Sequence, residues 1–293
     1  MNKVPVLSIQ PFNSELNESE IYVNDFRSHL IKNKDVILKP HKHDFFLTII
    51  FTRGTGKHTI DFNSYPVQTG SVFMLRPGQS HNWELSDDID GFVFFHSPTF
   101  YSLFNQGVEI LSFPFFYSSY NAPNAKLSSS EMSVIRPLFE LLLKEFKSDQ
   151  LLRQQKIGGL IKLIYIELTR SYIKQHTHSS ENPPMYLKKL NEFEQLIDKY
   201  FIQEKSVTVY ANWLNISRKH LNRITNLMLG KTATQVISDR VILEAKRLIV
   251  ENNESLKEIG FHLGYSDYAY FSRVFKTQTG LNPKEFRFKY HKS

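Results

Sequence analysis

The sequence predicts an α+β protein of more than one domain. An amino-terminal β-barrel with following amphipathic helices precedes a carboxy-terminal domain made only of helices. Three observations carry this reading. Turn signals recur between residues 36 and 96 at the spacing of roughly 8–12 residues that short-stranded sandwiches and barrels produce. The hydrophobic period then changes to three-and-four. Finally, the formal net charge of +7 sits wholly in the last third: residues 185–293 hold 18 Lys and Arg against 11 Asp and Glu, while residues 1–184 balance. At 293 residues the chain is long enough for two domains of about 100–200 residues each.

The barrel is expected within residues 1–125. Its strands read as 44–52, 58–62, 72–75, 81–85 and 92–96, separated by Gly54-Thr55-Gly56, Asn63-Ser64, Pro77-Gly78 and Asp87-Asp88. Residues 45–51 are apolar at nearly every position instead of alternating, so that strand should have both faces covered. Residues 126–175 read as a helical dimerisation segment. Ile135, Leu138, Phe139, Leu142 and Leu143 fall on one helical face, and Ile157, Leu160, Ile161, Ile164 and Leu168 on another. Both faces packing on the barrel and one of them forming a dimer seam are equally compatible with that pattern. Residues 176–184, polar and ending Pro183-Pro184, read as a linker.

Residues 185–293 contain one plan twice. A short helix from 207 is followed by a turn at Asn215-Ile216 and a longer helix capped by Ser217 that runs to about 229, before Gly230. Fifty residues on, a short helix from 256 meets the turn Gly264-Tyr265-Ser266, and Asp267 opens a helix to about 279, before Gly280. Ser and Asp at entries and Gly at exits satisfy free helix-end groups. Between the units, residues 234–252 read as one helix offering Val236, Ile237, Val241, Leu248 and Ile249 to a shared core.

This is the helix-turn-helix plan, whose second helix enters a DNA major groove. Leu221, Ile224 and Leu227 should face inward in the first unit, and Phe271, Val274 and Phe275 in the second. That leaves Ser217, Arg218, Lys219, Asn222 and Arg223, and then Ser266, Asp267, Tyr268, Ala269, Tyr270, Arg273 and Lys276, for double-stranded DNA. Arg suits paired acceptors on guanine, Asn suits adenine, and Lys suits phosphate.

The run Ile259-Gly260-Phe261-His262-Leu263-Gly264-Tyr265-Ser266-Asp267, with Tyr270-Phe271-Ser272-Arg273-Val274-Phe275-Lys276, Gly280-Leu281-Asn282-Pro283 and Phe286-Arg287, resembles the signature of the AraC/XylS family of bacterial transcription regulators. Ser217, Leu221, Gly230, Arg240 and Ala245 agree more loosely. The resemblance implies two recognition helices in successive major grooves, with Lys219, Asn222, Arg223, Tyr268, Ala269 and Arg273 facing bases or backbone. It also implies a homodimeric activator, a small-molecule effector in the amino-terminal barrel, and RNA polymerase as a further partner. Gly260 stands where the family has Ala, and Tyr265 where it has Phe; both are packing positions.

Five of the eleven histidines, His41, His43, His58, His81 and His96, lie in the strand-rich segment. His41 and His43 share a strand face and could converge with His81. This arrangement, with Pro77-Gly78-Gln79-Ser80-His81, resembles the cupin barrel. Metal-binding cupins place an acid about four residues after the H-x-H pair, where this chain has Leu47 and Thr48. No metal and no cofactor are therefore expected, and His41, His43, Arg76, His81 and Trp83 become the effector-binding candidates. The alternatives are a metal-dependent cupin enzyme fused to a helical domain, and a DNA-binding dimer without an effector.

Composition narrows the remaining classes. With no cysteine, disulfide scaffolds, thiol nucleophiles and Cys-type zinc sites are excluded. No Ser-His-Asp pattern or phosphate-cradling Gly-rich loop supports an enzyme. No apolar run reaches the roughly 18–20 residues of a membrane span, and residues 1–10 lack signal-peptide character, so a cytoplasmic location without membrane contact is expected.

Overall fold

The computed structural model describes residues 4–13, 20–118, 121–176, 184–251 and 254–290, which divide between two compact units, Val4–His178 and Ser179–Ser293.

The first unit runs β1 (Val6–Leu7), β2 (Ile21–Asp25), α1 (Phe26–Ile37), β3 (Lys42–His43), β4 (Phe46–Arg53), β5 (Gly56–Ile60), β6 (Asn63–Val67), β7 (Ser71–Leu75), β8 (His81–Leu85) and β9 (Asp90–His96). It continues with α2 (Pro98–Phe104), α3 (Pro114–Tyr117), β10 (Asn124–Lys126), α4 (Ser129–Phe146) and α5 (Arg153–His176). A five-stranded sheet has the order β10-β7-β4-β9-β2, a three-stranded sheet the order β6-β5-β8, and β1 pairs in parallel with β3.

Strand β4 explains its own unbroken apolar run. Leu47, Ile49 and Phe51 point into a core with Phe45, Phe73, Leu75, Trp83, Val93 and Phe95 between the sheets. Phe46 and Ile50 point the other way, into a core with Met74, Phe94, Phe139, Ile161 and Tyr165 beneath the helices. Alternation on the pleat thus feeds two cores from one strand. The apolar faces of α4 and α5 are spent on this second core: Ile135, Phe139, Leu142, Ile157, Ile161, Ile164 and Leu168 are all buried within the domain. A seam between protomers would need their opposite faces.

Two local expectations are corrected. The stretch beginning at Val36 is the end of α1, whose first turn is capped by Asp25 accepting from the Ser28 N–H at 2.8 Å. Its β-branched Val36-Ile37 pair mimics a strand, but Phe26, His29 and Ile37 supply a buried helical face. Asn63 and Ser64 belong to β6, and the hairpin turns earlier, with Asp61 at φ 52°; Asp tolerates that left-handed region better than most residues. Of the expected linker, residues 177–183 lie outside the described residues; α5 ends at His176 and the next helix begins at Pro184.

The second unit comprises α6 (Pro184–Tyr200), α7 (Val207–Trp213), α8 (Arg218–Leu229), α9 (Ala233–Glu251), α10 (Leu256–His262), α11 (Tyr268–Thr279) and α12 (Pro283–Tyr290). Ser217 and Asp267 cap α8 and α11 by accepting from the N–H groups of His220 and Tyr270, at 3.1 and 2.7 Å. Gly230 and Gly280 close them at φ 65° and 77°. The two turns are closed alike: Ile216 N–H donates to Ala211 O and Tyr265 N–H to Gly260 O, each at 3.0 Å. Arg287 ties α12 to the carbonyls of Ile249 and Glu254 at 3.1 and 2.8 Å.

Candidate functional site

Inward packing fixes which face of α8 and α11 remains outside. Leu221, Ile224 and Thr225 are buried in α8, as are Phe271 and Phe275 in α11. Leu227 is not: it is 56 % exposed, and Thr225 takes the inward place. Four residues after Leu221, Thr225 continues the inner stripe, whereas the sixth lies across the helix. Val274 is half-buried. Gly260 accommodates the ring of Phe271, which would come within 3.1 Å of an added Cβ, and Tyr265 is buried beside the same ring at 5.2 Å.

On the outer side, Ser217, Arg218, Lys219 and Arg223 are exposed, as are Ser266, Asp267, Ala269, Tyr270, Arg273 and Lys276, with Tyr268 half-buried. Arg273 lies 6.0 Å from the Tyr270 ring. Other cations of the unit are paired with carboxylates: Lys189 with Glu192, Lys231 with Asp239, and Arg240 with Asp198 and Glu244. Among the described residues, no carboxylate partners Arg218, Lys219, Arg223, Arg273 or Lys276. Asn222 also makes contacts inside the unit. Its amide donates to the Arg218 carbonyl at 3.1 Å and its oxygen accepts from the Ala233 N–H at 3.0 Å, so it caps α9 from α8.

In the first unit, four imidazoles gather where β3, β5 and β8 meet. His41 exchanges backbone hydrogen bonds with His81 at 3.1 and 2.9 Å, and their ring centroids are 4.2 Å apart. His43 and His58 lie 5.1 and 5.2 Å from His81, and Trp83 lies 4.8 Å from His58. All five side chains are buried. His43 Nδ1 faces the Phe45 carbonyl at 2.7 Å and His41 Nδ1 the Lys39 carbonyl at 2.8 Å, contacts only an N–H can make. Among the described residues, the polar atoms of these five side chains that are buried without a hydrogen-bond partner are His43 Nε2, His58 Nδ1, His81 Nε2 and Trp83 Nε1. Burial holds these rings neutral, pushing His43 down to about 3 and His58 and His81 well below the usual imidazole value.

His58 was legible as a residue but not as a member of this group. It enters because β5 and β8 place it opposite Trp83 across the ladder. Arg76 stands half-buried after β7, its backbone N–H held by the Gln79 side chain at 2.7 Å. His96 belongs to the other core, where its Nε2 meets the Tyr165 hydroxyl at 2.7 Å. Among the described residues, no group of three or more His, Asp or Glu is placed to hold a metal ion. A cleft of 660 Å³ lies elsewhere in the unit, along β2 and α1, and none of the five expected effector residues lines it.

Comparison with known proteins gives the two units their kinship. Residues 29–157 match the AraC-like ligand binding domain and residues 210–289 a helix-turn-helix domain. The chain belongs to the AraC family of transcription regulators. Similar AraC-family proteins include the HTH-type transcriptional activator RhaR of Enterobacter sp. (strain 638), 23% identical over 269 residues that cover 88% of this chain and 89% of the relative. The activator RhaS of Salmonella schwarzengrund is 23% identical over 248 residues, 84% and 86% of the two chains. Among solved structures, unsaturated-fatty-acid-bound ToxT from Vibrio cholerae has a TM-score of 0.42 at 16% identity, over 94% of this chain and 98% of that one. No helix among the described residues is long and apolar enough to cross a membrane.

Proposed function

We propose that this AraC-family protein is a cytoplasmic, non-enzymatic, sequence-specific activator that binds promoter DNA as a homodimer, engages RNA polymerase, and answers to a small-molecule effector. The observation that carries the DNA-binding reading is the pairing of α8 and α11. Both are second helices of like-built units, both are buried on one stripe by residues fifty apart, and both expose unpaired cations on the other side. An Arg or Lys without a carboxylate neighbour loses no ion pair when it meets phosphate or guanine. Arg223 and Arg273 are the base-reading candidates, with Arg218, Lys219 and Lys276 on phosphate. Asn222 serves the fold.

The effector reading rests on His43, His58, His81 and Trp83. Their four unpartnered polar atoms would each cost about 1–3 kcal/mol if left unmatched, which favours a polar guest in contact with them. The homodimer reading is supported by Val134, Leu141, Leu163 and Ile173, which stay exposed on the sides of α4 and α5 turned away from the core.

The test is a footprint of the full-length protein on DNA upstream of its own gene, at two salt concentrations. Two protected major-groove segments about 10 base pairs apart are expected. Binding that stays unlocalised and vanishes with added salt would reduce the two helices to a generic basic surface.

A further inference from the structure

The cleft along β2 and α1, which Phe146 and Lys147 at the end of α4 also line, has 660 Å³ and a mixed polar and apolar lining. Its volume lies within the range of small-ligand sites, about 300–1,000 Å³. Several of its side chains are already locked. The buried Tyr22 hydroxyl accepts from the Asn24 amide at 3.0 Å and lies 3.0 Å from His29 Nδ1. Asn33 donates to the His29 carbonyl at 2.9 Å. The Asn24 oxygen accepts from the Asp25 N–H, and Asp25 Oδ1 from the Ser28 N–H. A wall held this way needs little reordering when a ligand arrives.

What the locked wall leaves over defines the guest. Among the described residues, Asn33 Oδ1, Asp25 Oδ2 and Ser28 Oγ accept no protein donor, and Lys147 Nζ meets no protein acceptor. Two acceptors and a hydroxyl call for ligand O–H groups, and the ammonium calls for an anion. Lys32 adds a second positive charge to the lining, while Asp25 repels an anion that brings no hydroxyl to it.

We propose that this cleft is a small-molecule site for a hydroxylated organic anion, a sugar acid or sugar phosphate, separate from the imidazole group of the barrel interior. The hydroxyls donate to Asp25 and Asn33, and the carboxylate or phosphate meets Lys147. Phe12 and Phe146 offer apolar faces to the C–H side of such a molecule.

Calorimetric titration of the full-length protein tests this with gluconate, 6-phosphogluconate, sorbitol and hexanoate. Gluconate or 6-phosphogluconate should bind; sorbitol, which lacks the charge, and hexanoate, which lacks the hydroxyls, should each be weaker by about tenfold or more. Preference between the two anions separates a carboxylate from a phosphate guest. Lys147→Gln, at an exposed position, should weaken the preferred anion by about tenfold. Asp25→Asn, which keeps a capping oxygen, should narrow the gap between gluconate and hexanoate. Absence of binding by every probe up to about 10 mM, or binding that both substitutions leave unchanged, would overturn the proposal.

Discussion

His58 and His81 share one proton across 3.0 Å between Nε2 of the first and Nδ1 of the second. Both rings are held neutral by burial and by the neighbouring imidazoles, so each carries a single N–H. If His81 donates inward, its Nε2 becomes an acceptor and His58 Nδ1 a donor; if His58 donates inward, the outer roles exchange. The pair therefore always presents one donor and one acceptor. His43, whose Nδ1–H is held by Phe45, adds a fixed acceptor, and Trp83 a fixed donor. A guest with hydroxyl groups matches this set, since a hydroxyl both gives and accepts.

Neutral buried histidines make the amino-terminal domain acid-sensitive. Burial pushes His29 and His43 down to about 3 and His96 to about 4, and His58 and His81 well below their ordinary value. In the unfolded chain each takes up a proton near the ordinary value of 6.5. Below that pH the unfolded state binds more protons, so stability is full above about 6.5 and falls with pH by about 1.4 kcal/mol per unit for each such histidine. Calorimetry from pH 7.5 to 5.5 should show a steep fall in the barrel domain's melting temperature. A flat profile would mean these rings are protonated or exposed.

Asn222→Ala should act as a loss of structure. It leaves the Ala233 N–H at the start of α9 without its side-chain acceptor, worth about 1 kcal/mol by comparison with other helix caps. Urea denaturation of the DNA-binding unit would register that loss. Affinity for specific and random DNA should fall together and only slightly; a selective loss on the operator would place Asn222 at a base.

Arg223→Ala and Arg273→Ala should behave oppositely. Each removes an exposed guanidinium that no carboxylate partners among the described residues. Folding stability should change by less than about 0.5 kcal/mol, while operator affinity falls by about 1–3 kcal/mol. Competition binding with operator and scrambled duplexes separates base reading from phosphate contact, since equal losses on both indicate phosphate.

Gly264 and Gly280 share a left-handed backbone, at φ 78° and 77°, yet should differ under substitution. An alanine Cβ at 264 would come 2.3 Å from the Ile202 carbonyl oxygen, whereas nothing lies within 4 Å of one at 280. Gly280→Ala should cost the backbone penalty alone, about 1–2 kcal/mol. Gly264→Ala adds a collision with backbone and should cost clearly more. Equal unfolding midpoints for the two variants would contradict the close approach in the second helix-turn-helix.

Much of this molecule was legible from short-range signals. Ser217 and Asp267 before α8 and α11, Gly230 and Gly280 after them, and the apolar stripe through Leu221 and Phe271 are all read within a few residues of one another, because capping and helical period are local physics. The unbroken run from Phe45 to Phe51 announced a strand with two covered faces for the same reason. Other features depended on partners distant in sequence. Leu227 fitted the helical pattern but stays largely exposed, while Thr225 is buried. Asn222 reads in the sequence as a base-facing residue, and only the fold shows that its side chain also caps the start of α9. His58 joined the other histidines only because β5 lies against β8, and the cleft exists only because the end of α4 packs near β2 and α1. The sequence alone determined where helices and strands begin, which faces are apolar and where charge accumulates, since each is set by neighbouring residues. The tertiary structure decided which polar atoms are already satisfied and which remain open, because a hydrogen bond between distant segments forms only when the whole chain has brought them together.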